Sequence, residues 1–472
     1  MTRFVAFVYS PYHNKHDGVR CLVSYLDELF PDFTAENCSP DVLEQEVMNR
    51  ADIAGDAFAP ILTYAQRLFE AFLINEGLDD DDAARRLYLL RGLRVRKLFS
   101  QYERQLSKAR RHLEKSERRD ALQLQFRYQL GVETGDYVAQ RERRQADTSL
   151  QSRQDAFDLY FISEKLRDAC ELQVRRQILA GEYKLLFLEP ILREIRHHPD
   201  RYRPEPAVYI YYSLYQMLRD EASAFYFQAL ESIREHRQAF HRTELITIYN
   251  YLMNFCIARI NRNDGRFLQE LFTLYKLQLS DDLLLEDGFL SEWDYKNIVT
   301  TALRLGELDW AKSFIEGYRE SLLPASMDNA FRFNKASYHY AAGEYDEVLA
   351  LLTKVEYSDL RYSLGTRALL MRTYYDLDEY DALHALTESF RQYLQRNQLM
   401  SDIRRLGYYN LFRLTRKAAL LRTRLPYLRA DKIQRELVKI REEVDATEEV
   451  FNRSWLLEKL AELDNSSLLS NN

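Results

Sequence analysis

Apolar residues recur every three or four positions along most of the chain, with polar residues between them. One such stripe runs through residues 19–30 and stops at Pro31, and another runs through residues 58–73. This spacing places the apolar side chains on one face of an α-helix. Leu, Ala, Glu, Arg and Gln, which are abundant here, are also strong helix formers. The pattern therefore predicts an all-α protein.

One four-residue motif occurs three times, each time between two predicted helices. Residues 306–309 read Gly-Glu-Leu-Asp, residues 343–346 read Gly-Glu-Tyr-Asp, and residues 378–381 read Asp-Glu-Tyr-Asp. The copies begin 37 and 35 residues apart, which is the length of one helix–turn–helix unit. Since one such unit cannot bury its apolar face alone, we predict that the units stack into a superhelix, an α-solenoid.

Weaker copies of this turn extend the predicted repeats toward the N-terminus. They lie at residues 135–137, 181–183, 220–221 and 264–267. With them, the sequence predicts about seven helix pairs between residues 120 and 425.

These repeats define the predicted organisation of the chain. Residues 1–125 form a helical N-terminal region, residues 126–425 the repeats, residues 426–464 a capping helix, and residues 465–472 a disordered tail. Pro426 ends the repeats because proline cannot continue a helix. The apolar positions predicted for the capping helix are Ile433, Leu437, Ile440, Val444, Trp455, Leu456 and Leu460.

The composition agrees with a folded helical chain. Of the 472 residues, 46% are apolar and 29% are charged, which excludes a disordered chain; 14 Gly and 10 Pro leave little material for the turns of an all-β fold. No apolar stretch reaches the ~18 residues of a membrane span, and no signal peptide is recognisable. The four cysteines are far apart, which favours a reducing compartment. We therefore expect a cytoplasmic protein without a membrane segment.

The second copy of the turn carries a resemblance to a known family. Residues 342–347 read Ala-Gly-Glu-Tyr-Asp-Glu and are followed by the apolar residues Val348, Leu352 and Val355. This stretch resembles the turn and second helix of a tetratricopeptide repeat.

The resemblance is clear over residues 295–395, weak over residues 130–295 and absent before residue 120. Arg332 and Lys335 depart from the family pattern, which has apolar residues in those places. The repeats are therefore tetratricopeptide-like but degenerate.

The resemblance implies that the first helix of each pair lines a concave groove that binds extended peptides. The positions that would line this groove are Phe255, Arg259, Arg262, Lys296, Arg304, Tyr340, Arg372 and Tyr375. Because arginine pairs with carboxylates through two hydrogen bonds, the groove suits an acidic peptide or a C-terminal carboxylate. The alternative is that these side chains lie on solvated helix faces.

The charge distribution suggests a second function. The net charge of −7 argues against non-specific binding of nucleic acid by the whole chain. However, residues 85–119, which we predict to form a basic helix, hold 13 Lys or Arg against 3 Glu, and residues 281–294 hold six acids and no base. In a nucleic-acid-associated regulator, Arg94, Arg96 and Arg110 would contact phosphates. Alternatively, the charges of this helix are structural or meet the acidic segment.

Candidate catalytic or metal-binding residues are few. His13 and His16 lie near Cys21 and Cys38, but zinc requires three or four convergent ligands, so capping and core roles are favoured. The sequence contains no hydrolase, metalloprotease, phosphate-loop or dinucleotide-binding motif. We therefore predict no enzyme activity, no metal and no cofactor. The predicted function is a scaffold or adaptor that binds a protein segment in its groove.

Overall fold

The computed structural model describes residues 1–51, 58–141, 150–178, 183–355, 360–396 and 400–469. Most of these residues are helical, as the apolar spacing predicts. The chain forms two compact units, Met1–His241 and Arg242–Asn472. None of the described helices is both long enough and apolar enough to cross a membrane.

The first unit consists of packed helices. They are α1 (Thr2–Tyr9), α2 (Asp17–Leu29), α3 (Pro40–Ala51), α4 (Phe58–Asp80), α5 (Asp82–Val95), α6 (Phe99–Lys115), α7 (Ala121–Arg141), α8 (Leu150–Ile178), α9 (Leu188–His197), α10 (Pro199–Tyr202), α11 (Pro206–Asp220) and α12 (Ser223–His236), followed by a 3-10 turn at Arg237–Ala239. Sequence neighbours pack together in the pairs α2/α3, α5/α6, α7/α8 and α11/α12. Leu90, Tyr102 and Phe126 join α5, α6 and α7 into one apolar core.

The second unit continues this plan with one small hairpin. Its elements are α13 (Arg242–Asn261), α14 (Arg266–Ser280), β1 (Leu285–Glu286), β2 (Phe289–Leu290), α15 (Glu292–Arg304), α16 (Leu308–Gly317), α17 (Met327–Ala342), α18 (Tyr345–Leu352), α19 (Leu360–Asp376), α20 (Tyr380–Arg396), α21 (Asp402–Arg424), a 3-10 turn (Leu425–Tyr427), α22 (Ala430–Ala446) and α23 (Arg453–Leu469). The two strands are antiparallel, with Leu285 opposite Leu290.

The repeated sequence forms the same turn in all three places. Gly306 and Gly343 have a φ of 77° and Asp378 has a φ of 61°, so the first residue of each copy is left-handed. In each turn the next residue donates its N–H to the carbonyl five positions earlier: Glu307 to Ala302 at 3.0 Å, Glu344 to His339 at 2.9 Å and Glu379 to Tyr374 at 2.9 Å. This hydrogen bond is a common way to end a helix, and glycine suits it because it lacks a Cβ. The predicted turns are confirmed.

The weak copy at residues 264–267 also marks a turn. The left-handed residue there is Asn263, with a φ of 65°, and Asp264 donates its N–H to the Arg259 carbonyl at 3.0 Å. Asparagine adopts this conformation more readily than most residues. The turn therefore forms without a glycine in the left-handed position.

A turn of this kind divides the predicted basic helix over residues 85–119. Lys97 has a φ of 57°, and the Leu98 N–H donates to the Leu93 carbonyl at 2.9 Å. The segment is therefore two helices, α5 and α6, which pack against each other. A lysine gives no sequence signal for such a turn, so the break could not be predicted.

The predicted turn at residues 135–137 is wrong, because these residues lie inside α7. The Tyr137 ring stacks on Tyr102 of α6, with 4.2 Å between ring centroids, and Asp136 accepts a hydrogen bond from Arg94 at 3.1 Å. These contacts stabilise a continuous helix, whereas one glycine inside a helix costs only about 1 kcal/mol. The predicted turn at 220–221 does separate α11 from α12. Two of the three residues at 181–183 lie outside the described residues.

Helix pairs of the second unit pack in sequence order. α15/α16, α17/α18 and α19/α20 each form a pair, and α16, α18 and α20 each pack on the first helix of the next pair. The first helices also contact one another in the order α15, α17, α19 and α21. We call these four helices the first-helix row.

The predicted capping helix is in fact two helices, α22 and α23, which pack against each other and against α21. All seven of its predicted apolar positions are buried, and they join one core with residues of α19, α20 and α21. Helix α23 extends to Leu469, so the segment predicted to be a disordered tail begins as helix.

Candidate functional site

Two of the predicted groove residues on α13 serve the packing of the α13/α14 pair. Phe255 is buried, and its ring meets that of Phe267 edge to face, with 5.5 Å between centroids. Arg259 Nη2 lies 3.2 Å from Asp264 Oδ2, and its guanidinium lies 5.5 Å from the Phe267 ring. The third residue, Arg262, is exposed. Phe255 is therefore a core residue, and Arg259 links the two helices at their turn.

The two predicted groove residues on α15 differ in exposure. Lys296 is half-buried, and its ammonium lies 5.1 Å from the centroid of the Phe333 ring on α17, within cation–π range. Arg304, in the last turn of α15, is exposed. Of these two residues, only Arg304 is exposed.

The remaining three predicted residues come together. The Arg372 guanidinium of α19 lies 4.4 Å from the centroid of the Tyr340 ring on α17, and Tyr375 is buried one helical turn further along α19. Burial raises the pKa of the Tyr340 hydroxyl above its usual range and lowers the pKa of the Arg372 guanidinium. The three side chains therefore lie close together on α17 and α19, and each is buried or half-buried.

Helix α23 completes this group with residues that sequence reasoning did not assign to a site. Trp455 Nε1 donates to the Tyr340 hydroxyl at 2.8 Å, and that hydroxyl donates to Asp376 Oδ2 at 2.6 Å. Lys459 Nζ lies 2.9 Å from Asp376 Oδ1, and the Lys459 and Asp376 side chains are only 14% and 6% exposed. We call Tyr340, Arg372, Tyr375, Asp376, Trp455 and Lys459 the C-terminal cluster.

Hydrogen bonds offset the cost of burying the Asp376–Lys459 ion pair. Burial disfavours the charged form of Lys459, but hydrogen bonds to Asp376 and Glu462 outweigh that effect and raise the pKa of Lys459 above its ordinary value. The Trp455 ring also packs edge to face on Tyr375, with 5.6 Å between centroids. Two predicted peptide-binding residues, Tyr340 and Tyr375, therefore contact α23 of the same chain, and Arg372 packs on Tyr340.

Arg94, the first predicted phosphate contact, is held within the first unit. Its Nε and Nη2 atoms donate to Glu133 Oε1 at 2.6 Å and to Glu133 Oε2 at 3.1 Å. The hydrogen bonds to Glu133 raise the pKa of Arg94, and the Arg94 side chain is 11% exposed. Arg96 and Arg110 are exposed. The acids that meet Arg94 come from α7, not from the predicted acidic segment 281–294.

The histidines near Cys21 and Cys38 take packing roles. The His13 ring stacks on Phe7, with 3.9 Å between ring centroids, and the centroid of the His16 ring lies 5.9 Å from that of Tyr64. The described part of the chain contains no group of three or more His, Cys, Asp or Glu residues that could hold a metal ion.

The chain has no match among protein-family models, curated proteins or solved structures. The tetratricopeptide resemblance therefore stays a prediction, which rests on the repeated turn and on the packing of adjacent helices.

Proposed function

We propose that the protein is a non-enzymatic scaffold that binds a protein segment on a tetratricopeptide-like stack of helix pairs. The observation that carries this proposal is the first-helix row, in which α15, α17, α19 and α21 contact one another in order. Stacked helix pairs present an extended face, and helical-repeat proteins bind partners on such faces. The four free thiols support a reducing, cytoplasmic location.

The exposed charge on the row favours an acidic partner segment. Arg304 ends α15 with its guanidinium exposed, and Lys296 lies two turns earlier on the same helix. A guanidinium can donate two parallel hydrogen bonds to one carboxylate. We therefore place the partner toward the α15 end of the row.

The position of α23 supports the proposal from within the chain. Tyr340 on α17 and Asp376 on α19 hold an aromatic and a cationic side chain of α23, namely Trp455 and Lys459. Buried aromatic anchors are the usual energetic centres of protein interfaces. The row therefore already holds one helical segment by the kind of contacts that a partner would use.

The test is affinity capture with the tagged full chain from a lysate of the source cell, with one half of the lysate treated with nuclease. We expect a protein that is recovered in stoichiometric amount and survives the nuclease. The substitution Arg304→Glu should lower its recovery about tenfold or more, since a hydrogen-bonded charge is worth roughly 1.5–3 kcal/mol.

Arg396→Glu is the matched control, because Arg396 is also exposed in the last turn of its helix but lies on α20, outside the row. Recovery with this variant should equal that of the unmodified chain. Equal recovery with Arg304→Glu, or loss of the protein after nuclease treatment, would refute the proposal.

A second candidate function, association with nucleic acid, is supported by one face of α6. Arg104, Lys108, Arg111 and Lys115 are all exposed and follow one another at intervals of four, three and four residues. This spacing places four cations on one side of a helix, where they could contact successive phosphates.

This candidate predicts binding to single-stranded DNA that weakens steeply with salt, by a logarithmic slope of about −0.7 for each phosphate contacted. The double variant Arg104→Glu/Arg111→Glu should abolish binding. The control double variant Arg396→Glu/Arg424→Glu changes two exposed arginines of the second unit and should leave binding unchanged. DNA binding that is insensitive to the first pair would rule out α6.

A further inference from the structure

A cleft of about 1010 Å³ lies in the first unit between helices α5, α6 and α7. This volume is at the upper end of the range of pockets that hold drug-sized molecules or short peptide segments. It is separate from the first-helix row and from the exposed basic face of α6. We call it the α7 cleft.

Two polar side chains that line the α7 cleft are buried and incompletely bonded. Asp120 is fully buried, and its Oδ1 accepts a hydrogen bond at 2.9 Å from the Gln123 N–H, which caps the start of α7. Asp120 Oδ2 has no hydrogen-bond partner among the described residues, and the same holds for both amide atoms of Gln123, which is 7% exposed. A buried polar group without a partner is costly, so such groups are seldom left without a reason.

The charged side chains near Asp120 and Gln123 indicate whether a ligand of the cleft would be positive or negative. Asp80 and Asp81 also line the cleft and have no ion-pair partner in the part of the chain that the structure describes, although Asp81 Oδ1 caps α5 by accepting from the Ala84 N–H at 2.8 Å. Arg91 and Arg118 are the arginines of the lining.

Arg91 forms a long ion pair with Glu133, with 4.0 Å between Arg91 Nε and Glu133 Oε2. Glu133 and Asp136, which also line the cleft, share the single positive charge of Arg94. Among the described residues, Asp80, Asp81 and Asp120 have no ion-pair partner, and Arg118 is the one lining arginine without one. The lining therefore carries a negative excess, which favours a positive ligand.

We propose that the α7 cleft binds a guanidinium group, carried either by an arginine side chain of a partner peptide or by a free small molecule. A guanidinium offers several N–H donors in one plane, which could satisfy Asp120 Oδ2 and Gln123 Oε1 together. Tyr88, which is 62% exposed, and Tyr128 provide aromatic faces in the same cleft, on which a guanidinium can stack. Gln123 Nε2 is then free to donate to a carbonyl of the ligand.

The test is isothermal titration of the full chain with three probes. These are free arginine, a short Gly/Ser peptide with two arginines, and the same peptide with both arginines replaced by citrulline. Citrulline keeps the planar shape but lacks the charge. We expect the arginine peptide or free arginine to bind at least about tenfold more tightly than the citrulline peptide, since a charged donor strengthens a hydrogen bond substantially. Whichever of the two binds more tightly identifies the source of the guanidinium.

The decisive variant is Asp120→Asn, because asparagine still caps a helix but removes the negative charge. It should weaken arginine binding about tenfold or more. Asp41→Asn, at an exposed acid of α3 away from the cleft lining, is the control and should leave the dissociation constant unchanged.

Leu122→Arg provides a second test that does not touch the buried residues. Leu122 lines the cleft with 61% of its side chain exposed, so the substitution should fold and place a competing cation at the site. Leu122→Gln controls for the loss of the leucine. Absence of arginine binding at millimolar concentration, equal affinity for the citrulline peptide, or unchanged affinity in both Asp120→Asn and Leu122→Arg would overturn the proposal.

Discussion

Asp376 and Asp120 are two buried carboxylates at opposite ends of a helix. Asp376 is the last residue of α19, where the helix dipole disfavours a negative charge, and it is bonded through both oxygens, to Lys459 and to Tyr340. Asp120 precedes α7, where the dipole favours a negative charge, and only one of its oxygens has a partner in the described structure. The carboxylate in the unfavourable dipole position is thus fully bonded, whereas the one in the favourable position has an oxygen without a partner among the described residues.

The difference separates a structural cluster from a candidate binding site. At Asp376 the polar groups on α17 and α19 are used to hold α23, so three predicted groove residues have become part of the fold. At Asp120 the N-terminus of α7 stabilises the negative charge. No group among the described residues donates a hydrogen bond to Asp120 Oδ2. Tyr340, Arg372 and Tyr375, which were predicted to line a groove, thus contact other residues of the chain, whereas the cleft at Asp120 carries no recognised motif.

The largest expected effect concerns the side chain that anchors α23. Trp455→Ala removes a buried indole from the core and its hydrogen bond to Tyr340, and should lower the free energy of unfolding by about 3–5 kcal/mol. Denaturant unfolding followed by circular dichroism measures this. Tyr427→Ala, at a tyrosine that is 86% exposed, should change the same quantity by less than about 0.5 kcal/mol. A loss below about 1 kcal/mol for Trp455→Ala would mean that α23 is not held by this contact.

An intermediate effect is expected for Asp376→Asn. The substitution leaves the buried Lys459 ammonium without its closest carboxylate, so it should lower the free energy of unfolding by about 2–3 kcal/mol. This is somewhat less than the full penalty for breaking a buried ion pair, because Glu462 also contacts Lys459. Unfolding in urea at neutral pH measures the cost. Asp431→Asn breaks an exposed pair with Arg435 and should cost less than about 0.5 kcal/mol. Equal costs for the two variants would contradict the structural role of Asp376.

The smallest effect is expected for the same substitution at Asp120. Asparagine retains the cap on α7 and removes a charge with one unbonded oxygen, so Asp120→Asn should change stability by less than about 0.5 kcal/mol. Asp120→Ala, which also removes the cap, should cost about 1 kcal/mol. Thermal unfolding of both variants would test this. A cost for Asp120→Asn as large as that for Asp376→Asn would show that Asp120 has a structural role, and the comparison would fail.

Local features could be read from the sequence. The turns at Gly306, Gly343 and Asp378, the helices on either side of them and the seven buried positions of the C-terminal helices all depend on residues within a few turns of each other. The sequence-based prediction failed where a helix continued through a glycine and where a helix ended without one. Tertiary contacts of Tyr137 kept α7 helical through Gly135, and the turn at Lys97 has no glycine.

The candidate sites could be predicted only in part. Tyr340, Arg372 and Tyr375 were predicted to line the groove, but Trp455 contacts Tyr340 from 115 residues away and gives no local signal of it. The pairing of Arg94 with Glu133 likewise joins residues 39 apart. The cleft at Asp120 depends on which polar atoms have no partner, and that is a property of packing.

The sequence alone therefore determined the helical class, the repeated turns and the apolar face of each C-terminal helix. These follow from backbone preferences and from burial patterns that repeat every three or four residues. Tertiary structure decided that α23 packs against predicted groove residues, that Arg94 pairs with Glu133, and that one oxygen of Asp120 has no partner among the described residues. Each of these depends on which helices meet and at what distance, since Coulombic attraction and hydrogen bonds act between side chains only where the fold brings them within a few ångströms.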